Sequence, residues 1–240
     1  MREQGPLATE KRQPRRRSLF RRALRRTFSA LLLLAVLPFV LVPLYALINP
    51  PISAVMLWAL LQGERAEAHW VPLSAMSPHL VRSVVASEDA RFCTHHGIDW
   101  VEVRNALDTD DGRPRGASTI TMQTVKNQFL WNRRSWLRKS LEAPLALYAD
   151  LVLSKRRILE IYLNIVEWGP GVYGAEAAAS HAFSTSADDL TQAQAARLAA
   201  ILPAPRVRDA ARPGPETARI AGRISQRAAS AALDISCLAP

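Results

Sequence analysis

Hydrophobic side chains along this chain form one unbroken block and then a series of helical periods. From Phe28 to Ile48 there are 21 residues without a charge. At about 1.5 Å per helical residue that run reaches roughly 30 Å, the thickness of a bilayer's hydrocarbon core. The pattern predicts a membrane-spanning helix over residues 27–48, which Pro38 and Pro43 are expected to kink, as lipid-embedded helices tolerate. Asn49-Pro50-Pro51 ends the span. Ile52 to Leu61 is a second apolar stretch, too short to cross a bilayer, and is predicted to be a buried helix or one lying at the membrane surface.

The body that follows reads as mainly helical. Ser77-Pro78 is a helix start, with Ser77 as N-cap and apolar Leu80, Val81, Val84 and Val85 recurring on one face. Asp108 to Gly116 is a polar loop, and a helix is predicted to open around Ser118. A long helical pattern runs from Ser135 towards Leu153, and another from Ser154 to Val166 with Ser154 as N-cap. Glu167 to Gly174 is a turn-rich connection. Thr191 to Gln194 has capping-box spacing, and the helix it opens should end before Pro203. Glu216 to Leu233 is expected to form a marginal helix. Nothing alternates with period two for long enough to predict a sheet.

Charge changes the picture mainly by its placement. The chain carries 31 Lys and Arg against 21 Asp and Glu, a formal net charge of +10. Residues 1–26 hold ten of those cations and two of the acids, so the tail carries +8 and the rest is close to neutral. Basic residues directly before an apolar span act as a cytoplasmic retention signal. Residues 1–26 are therefore read as a cytoplasmic tail, with the body on the far side of the membrane. A nucleic-acid partner is not expected, because the excess charge is absent from the body. Two cysteines, Cys93 and Cys237, are too few for a disulfide framework. They could pair in an oxidising compartment but are read as unpaired thiols. The five histidines show no metal-ligand spacing, so no protein-held metal is expected.

Three clusters carry candidate chemistry. Ser87-Glu88-Asp89 ends an apolar helix and is followed by Phe92, His95, Gly97 and Asp99. A carboxylate in such a partly desolvated place has its pKa pushed towards the range of a general base. Arg115 to Gln123, then Lys126-Asn127, puts Ser118, Thr119 and Thr121 at a helix start, where free N–H groups attract anions. Gly116 would allow close backbone approach there, and Gln123 and Lys126 follow along the helix. The third cluster is Arg138, Lys139 and Glu142, which share a helix face, with Ser154-Lys155 downstream. Each has a plainer reading: a surface helix end, an ordinary capped helix, and a solvated salt bridge.

In combination these clusters are more specific. SEDxxFxxHxGxD, RGASTITMQxxKN, RKxxE and SKRRILExYLN, in that order, resemble the motifs of the family 51 glycosyltransferases. These are the peptidoglycan polymerases found in class A penicillin-binding proteins and as monofunctional enzymes, and the single N-terminal span resembles the monofunctional branch. The match covers residues 49–205, leaving 206–240 as an Ala-, Arg- and Pro-rich extension.

The resemblance implies a mainly α, lysozyme-like glycosyltransferase domain that polymerises lipid II into glycan strands. It places the general base at Glu88 and a second family carboxylate at Glu142. It puts Ser118, Thr119, Gln123, Lys126 and Asn127 on the donor side, Arg138, Lys139, Ser154 and Lys155 towards pyrophosphate, and Asp89, Phe92 and His95 among the substrate-binding groups. No tightly bound cofactor is implied, although a divalent cation, Mg or Mn, could accompany the substrate diphosphate. Membrane lipid and other cell-wall synthesis proteins are expected partners. The chain departs from the family pattern at Ala182, where an aromatic is usual beside Phe183, and at Asp150, where a Glu is common. Pro144, two residues past Glu142, is expected to bend its helix. The competing readings are a membrane-anchored glycan hydrolase, which leaves the cation cluster idle, and a non-catalytic wall-binding protein.

Overall fold

The structure is a computed structural model that describes residues 15–108, 117–133 and 135–239. The start of the basic tail and the loop 109–116, with Arg115 and Gly116 of the expected cradle, lie outside the described residues. The chain divides into two units, Met1–Val40 and Leu41–Pro240.

Helix α1, Arg15–Leu44, runs on through Pro38 and Pro43. Within it, Arg21–Leu44 is long and apolar enough to cross a membrane. It ends at Leu44, before the Ile48 limit expected from hydropathy. Tyr45 to Ile48 belong to the second unit instead, where the Arg157 side chain donates to the Tyr45 carbonyl (2.7 Å) and the Ile48 carbonyl (2.7 Å). Gln128 donates to the Tyr45 hydroxyl (3.4 Å) and to the Ile52 carbonyl (3.0 Å). These polar anchors hold apolar-looking sequence as a turn.

The second unit is built from helices whose starts were readable. Helix α2 is Ala54–Leu61. It buries Val55, Met56 and Ala59 and leaves Leu57, Trp58, Leu60 and Leu61 exposed. Helix α3, Pro78–Glu88, is capped by Ser77, and helix α4 is Trp100–Asp108. Helix α5, Ile120–Phe129, is capped by Thr119. Helix α6, Trp136–Val152, is capped by Ser135 and continues through Pro144. Helix α7, Lys155–Ile165, is capped by Ser154. Helix α8 is Ala175–Phe183. Helix α9, Gln192–Ile201, opens with a complete Thr191–Gln194 capping box. Helix α10 is Pro215–Ala229. Helix α5 packs against both α6 and α7, and α3, α9 and α10 pack on one another. Leu80, Val84, Ile120, Val125, Ile158, Leu159, Leu163 and Leu198 form part of the single core between them.

Three expectations need correction. A small sheet exists, in the order β1-β3-β2, made of β1 (Glu67–Ala68), β2 (Glu167–Gly169) and β3 (Val172–Tyr173). Strands of two or three residues are too short for alternation to show. Cys93 and Cys237 are joined in a disulfide, with Cα atoms 5.4 Å apart across a sequence separation of 144. Residues after 205 are no loose extension: α10 buries Thr217, Ala221, Ile224 and Ala228 on a single face. The last segment is also held by Arg156, which donates to the Leu238 carbonyl (2.8 Å).

Candidate active site

Helix α3 ends on Glu88 because its apolar face is spent by Ala86 and the chain turns at Asp89. The carboxylate of Glu88 is thereby left at the rim of the core, half-buried. Its Oε2 accepts from Gln123 Nε2 (2.9 Å), and its Oε1 accepts from Ser87 Oγ (3.3 Å). The other end of the Gln123 amide accepts from the hydroxyl of fully buried Tyr162 (3.1 Å). Since that phenol donates, the amide nitrogen is turned towards Glu88. Burial pushes the Glu88 carboxyl above its usual range, an effect only partly offset by Gln123, Ser87 and the charge of Lys126. Burial likewise raises the Tyr162 hydroxyl well above its ordinary range, and Glu88 and Asp89 add to the shift.

A cationic group lies beside this carboxylate. Lys126, on α5, has its pKa lowered by burial and then by Arg138, while Glu142 and Glu88 pull it back up. On α6, four-residue spacing sets Arg138 Nη1 against Glu142 Oε1. Lys139 Nζ is 3.2 Å from the other Glu142 oxygen and also donates to Ser118 Oγ (2.9 Å). The Arg138 Nε donates to the Arg133 carbonyl (3.0 Å). The Glu142 side chain is only 3% exposed and that of Arg138 only 11%, so this pair is fixed inside the protein, whereas Lys139 is 42% exposed.

Several expected ligands are instead occupied in shaping the site. Asp89 is buried and accepts from His95 Nε2 (3.0 Å) and from the Ile120 backbone N–H at the head of α5 (3.0 Å). Phe92 is fully buried. Thr119 caps α5 through the Met122 N–H (3.1 Å) and donates to the Gly97 carbonyl (2.6 Å). Gly97 lies in the left-handed region, and a Cβ there would meet the Ala146 carbonyl oxygen of α6 at 2.6 Å, so the loop after Glu88 can close onto α6 only with glycine. Asn127 is buried on α5, and Ser154 is exposed but used as a cap, accepting from the Arg157 N–H (3.2 Å). Lys155 does not join the other cations. Its ammonium is enclosed, 2.6 Å from Asp150 Oδ1 and 4.7 Å from the centre of the Phe92 ring. It is thus paired with Asp150, at the position where the chain departs from the family pattern.

The structure thus gathers Glu88, Gln123, Lys126, Ser118, Arg138, Lys139 and Glu142; Asp89 and Thr119 line the same cavity as Glu88, while Phe92 and His95 are buried and Lys155 is paired with Asp150. Two residues of this arrangement had no sequence role: Tyr162, although its motif was quoted, and Asp150. Among the described residues, Ser87, Glu88, Glu102, Ser118 and Arg227 line a cavity of about 230 Å³ that opens at the base of α3.

A half-buried carboxylate with a raised pKa, set beside an ordered cluster of cations, is a site for proton removal next to a stabilised anion. The family model described as Transglycosylase matches residues 55–229, and the chain belongs to that family. The match ends with α10, which places that helix inside the family domain. The chain is similar to proteins named biosynthetic peptidoglycan transglycosylase. The one from Nitrobacter hamburgensis is 53% identical over 216 residues, 89% of this chain and 95% of the relative. The one from Rhodopseudomonas palustris (strain HaA2) is 53% identical over 217 residues, again 89% and 95%. The one from Agrobacterium fabrum is 49% identical over 222 residues, 91% and 98%.

Proposed function

We propose that this chain is a peptidoglycan glycosyltransferase that joins lipid II units into β-1,4 glycan strands in one inverting displacement. Glu88 takes the proton from the acceptor's 4-hydroxyl as that oxygen bonds to the donor's anomeric carbon. The bond from that carbon to the diphosphate oxygen breaks, and polyprenyl diphosphate leaves with the electron pair. Lys126, Arg138 and Lys139 hold the charge that develops on the leaving group. Glu142 has both oxygens engaged by Arg138 and Lys139, which supports a role in fixing those cations rather than in moving a proton. Gln123 and Ser118 orient groups on either side of the base.

A divalent cation would have to be carried mainly by the diphosphate. Among the described residues no three His, Cys, Asp or Glu side chains converge as ligands. The polyprenyl substrate lies in the membrane, which suits the N-terminal helix as an anchor and the exposed Leu57, Trp58, Leu60 and Leu61 of α2 as a shallow contact with lipid. We assign the tail to the cytoplasm and the catalytic unit to the outer side of a bacterial plasma membrane.

The observation that carries this reading is Glu88, its pKa raised by burial, within reach of two neutral donors, Gln123 and Ser87, and beside Lys126. The test is strand formation by the detergent-solubilised chain from purified lipid II, with Glu88→Gln alongside. Strands from the wild type and none from Glu88→Gln are expected. Strands that survive the substitution would remove Glu88 as the base, and cleavage of finished glycan without synthesis would make the protein a hydrolase.

A further inference from the structure

The cavity at Glu88 has one wall that the chemistry above does not use. Arg227 lines it from the last turn of α10. None of Lys126, Arg138 and Lys139 lines that cavity, and Ser118 is the residue that connects the two regions, through its bond from Lys139. Of the two guanidinium groups there, Arg91 is committed to Asp99, with Nε 3.0 Å from Oδ2. Among the described residues Arg227 has no ion pair and no side-chain hydrogen bond, and it is exposed at the cavity.

Its position is nonetheless well determined. The neighbouring Ala228 is buried, and its carbonyl accepts from Arg82 Nε (2.5 Å), while Ser230 O accepts from Arg82 Nη2 (2.8 Å). Arg82 lies on α3, the helix that ends in Glu88. A single helix therefore carries the base and grips the backbone on which Arg227 stands. The Cys93–Cys237 disulfide ties the same C-terminal segment to the loop just past Glu88. A cation in a last helical turn also favours the helix dipole. That role, however, calls for no cavity and no clamp from α3.

We propose that Arg227 is a second anion-binding group of the active site, receiving an anionic group of the acceptor substrate. The inference rests on the reading of the site as a lipid II polymerase. Two anionic substrates must meet at Glu88, and the Lys126–Arg138–Lys139 cluster accounts for only the leaving diphosphate. A planar guanidinium with all its donors free suits a phosphate or a carboxylate in a two-pronged bond. Both occur on the acceptor, as its own diphosphate and as the carboxylates of the peptide it carries.

The full chain would be assayed for strand formation with lipid II, as wild type, Arg227→Ala and Arg227→Lys. Loss of one charge-assisted contact predicts a KM raised about tenfold in Arg227→Ala, with kcat changed less than about threefold and partial recovery in Arg227→Lys. The thermal midpoint should stay near that of the wild type. Repeating the assay with a lipid-linked disaccharide diphosphate that lacks the peptide identifies the anion. If the penalty disappears, the partner is a peptide carboxylate; if it persists, the partner is the diphosphate. Either outcome supports the inference. A KM unchanged in Arg227→Ala, or a loss confined to kcat or matched by a fallen midpoint, would overturn it while leaving the polymerase reading intact. A wild-type chain that makes no strands would overturn both.

Discussion

Two carboxylates on different helices, α3 and α6, receive opposite treatment in this protein. Glu88 is met by a neutral amide and a hydroxyl, and burial raises its pKa. Glu142 is more deeply buried but is held by two cations, one at each oxygen. The first arrangement raises the carboxylate's affinity for a proton, and the second commits the carboxylate to its ion pairs. In the proposed mechanism the same side chain serves as a base in one place and as a counter-charge in the other, with the partners deciding which. The lysines repeat the contrast. Lys126 is half-buried, with no acid in ion-pair contact among the described residues, and its pKa falls, whereas Lys155 is enclosed against Asp150.

The contrast can be broken at its strongest point by Glu88→Gln. Removing a general base should lower strand formation about a thousandfold. In the wild type, the rate should rise with pH through the raised Glu88 pKa, so its acid limb should lie above the ordinary carboxylate range. The same shift has a sign for stability. Between the unfolded carboxyl pKa and the raised folded one, the folded state binds the extra proton, so stability falls as pH rises through that window. Chemical unfolding should therefore find Glu88→Gln at least as stable as the wild type above the window, despite its lost activity. An acid limb in the ordinary carboxylate range would remove the contrast between the two acids.

Glu142→Gln tests the other side. It leaves Arg138 buried and unpaired, which should cost about 3 kcal/mol in denaturant unfolding. Little loss of stability would mean that Glu142 is no counter-charge. Gln123→Ala removes a donor that favours the ionised form of Glu88. The acid limb of the pH–rate profile should move further up, with a rate loss near neutrality of about tenfold. The smallest effect is expected from Tyr162→Phe, which frees the far end of the Gln123 amide. A rate loss of about fivefold at most, with the acid limb shifted in the same direction, would place Tyr162 in the support of the base. An unshifted limb would confine Tyr162 to packing.

What could be read from the sequence was chiefly local. Ser77, Ser135, Ser154 and Thr191 announce their helices because a cap acts within three residues of itself. The opening of α5 was read one residue early because Ser118 and Thr119 are both good caps; the bond to Gly97 O, made across the fold, belongs to Thr119. An apolar helix ending in two acids implies desolvation but does not choose between Glu88 and Asp89; the family resemblance singled out Glu88, and burial raises its pKa. The interactions that were missed cross long stretches of chain. Tyr162 reaches Gln123 over 39 residues, and Cys93 meets Cys237 over 144. The pairing of Lys155 with Asp150 was not foreseen because it depends on the turn between α6 and α7, which composition does not encode. Helix α10 looked marginal because its sequence is rich in Ala and Arg and opens on Pro215, while Ala221, Ile224 and Ala228 are buried against neighbours.

The disulfide also governs what a protease can do to the molecule. It closes a covalent ring from Cys93 to Cys237 that contains the loop 109–116. One cut in that loop would put Glu88 and Glu142 on different polypeptides without releasing either from the other. Both halves would stay joined to the N-terminal helix, and a nicked enzyme would run as two bands only after reduction.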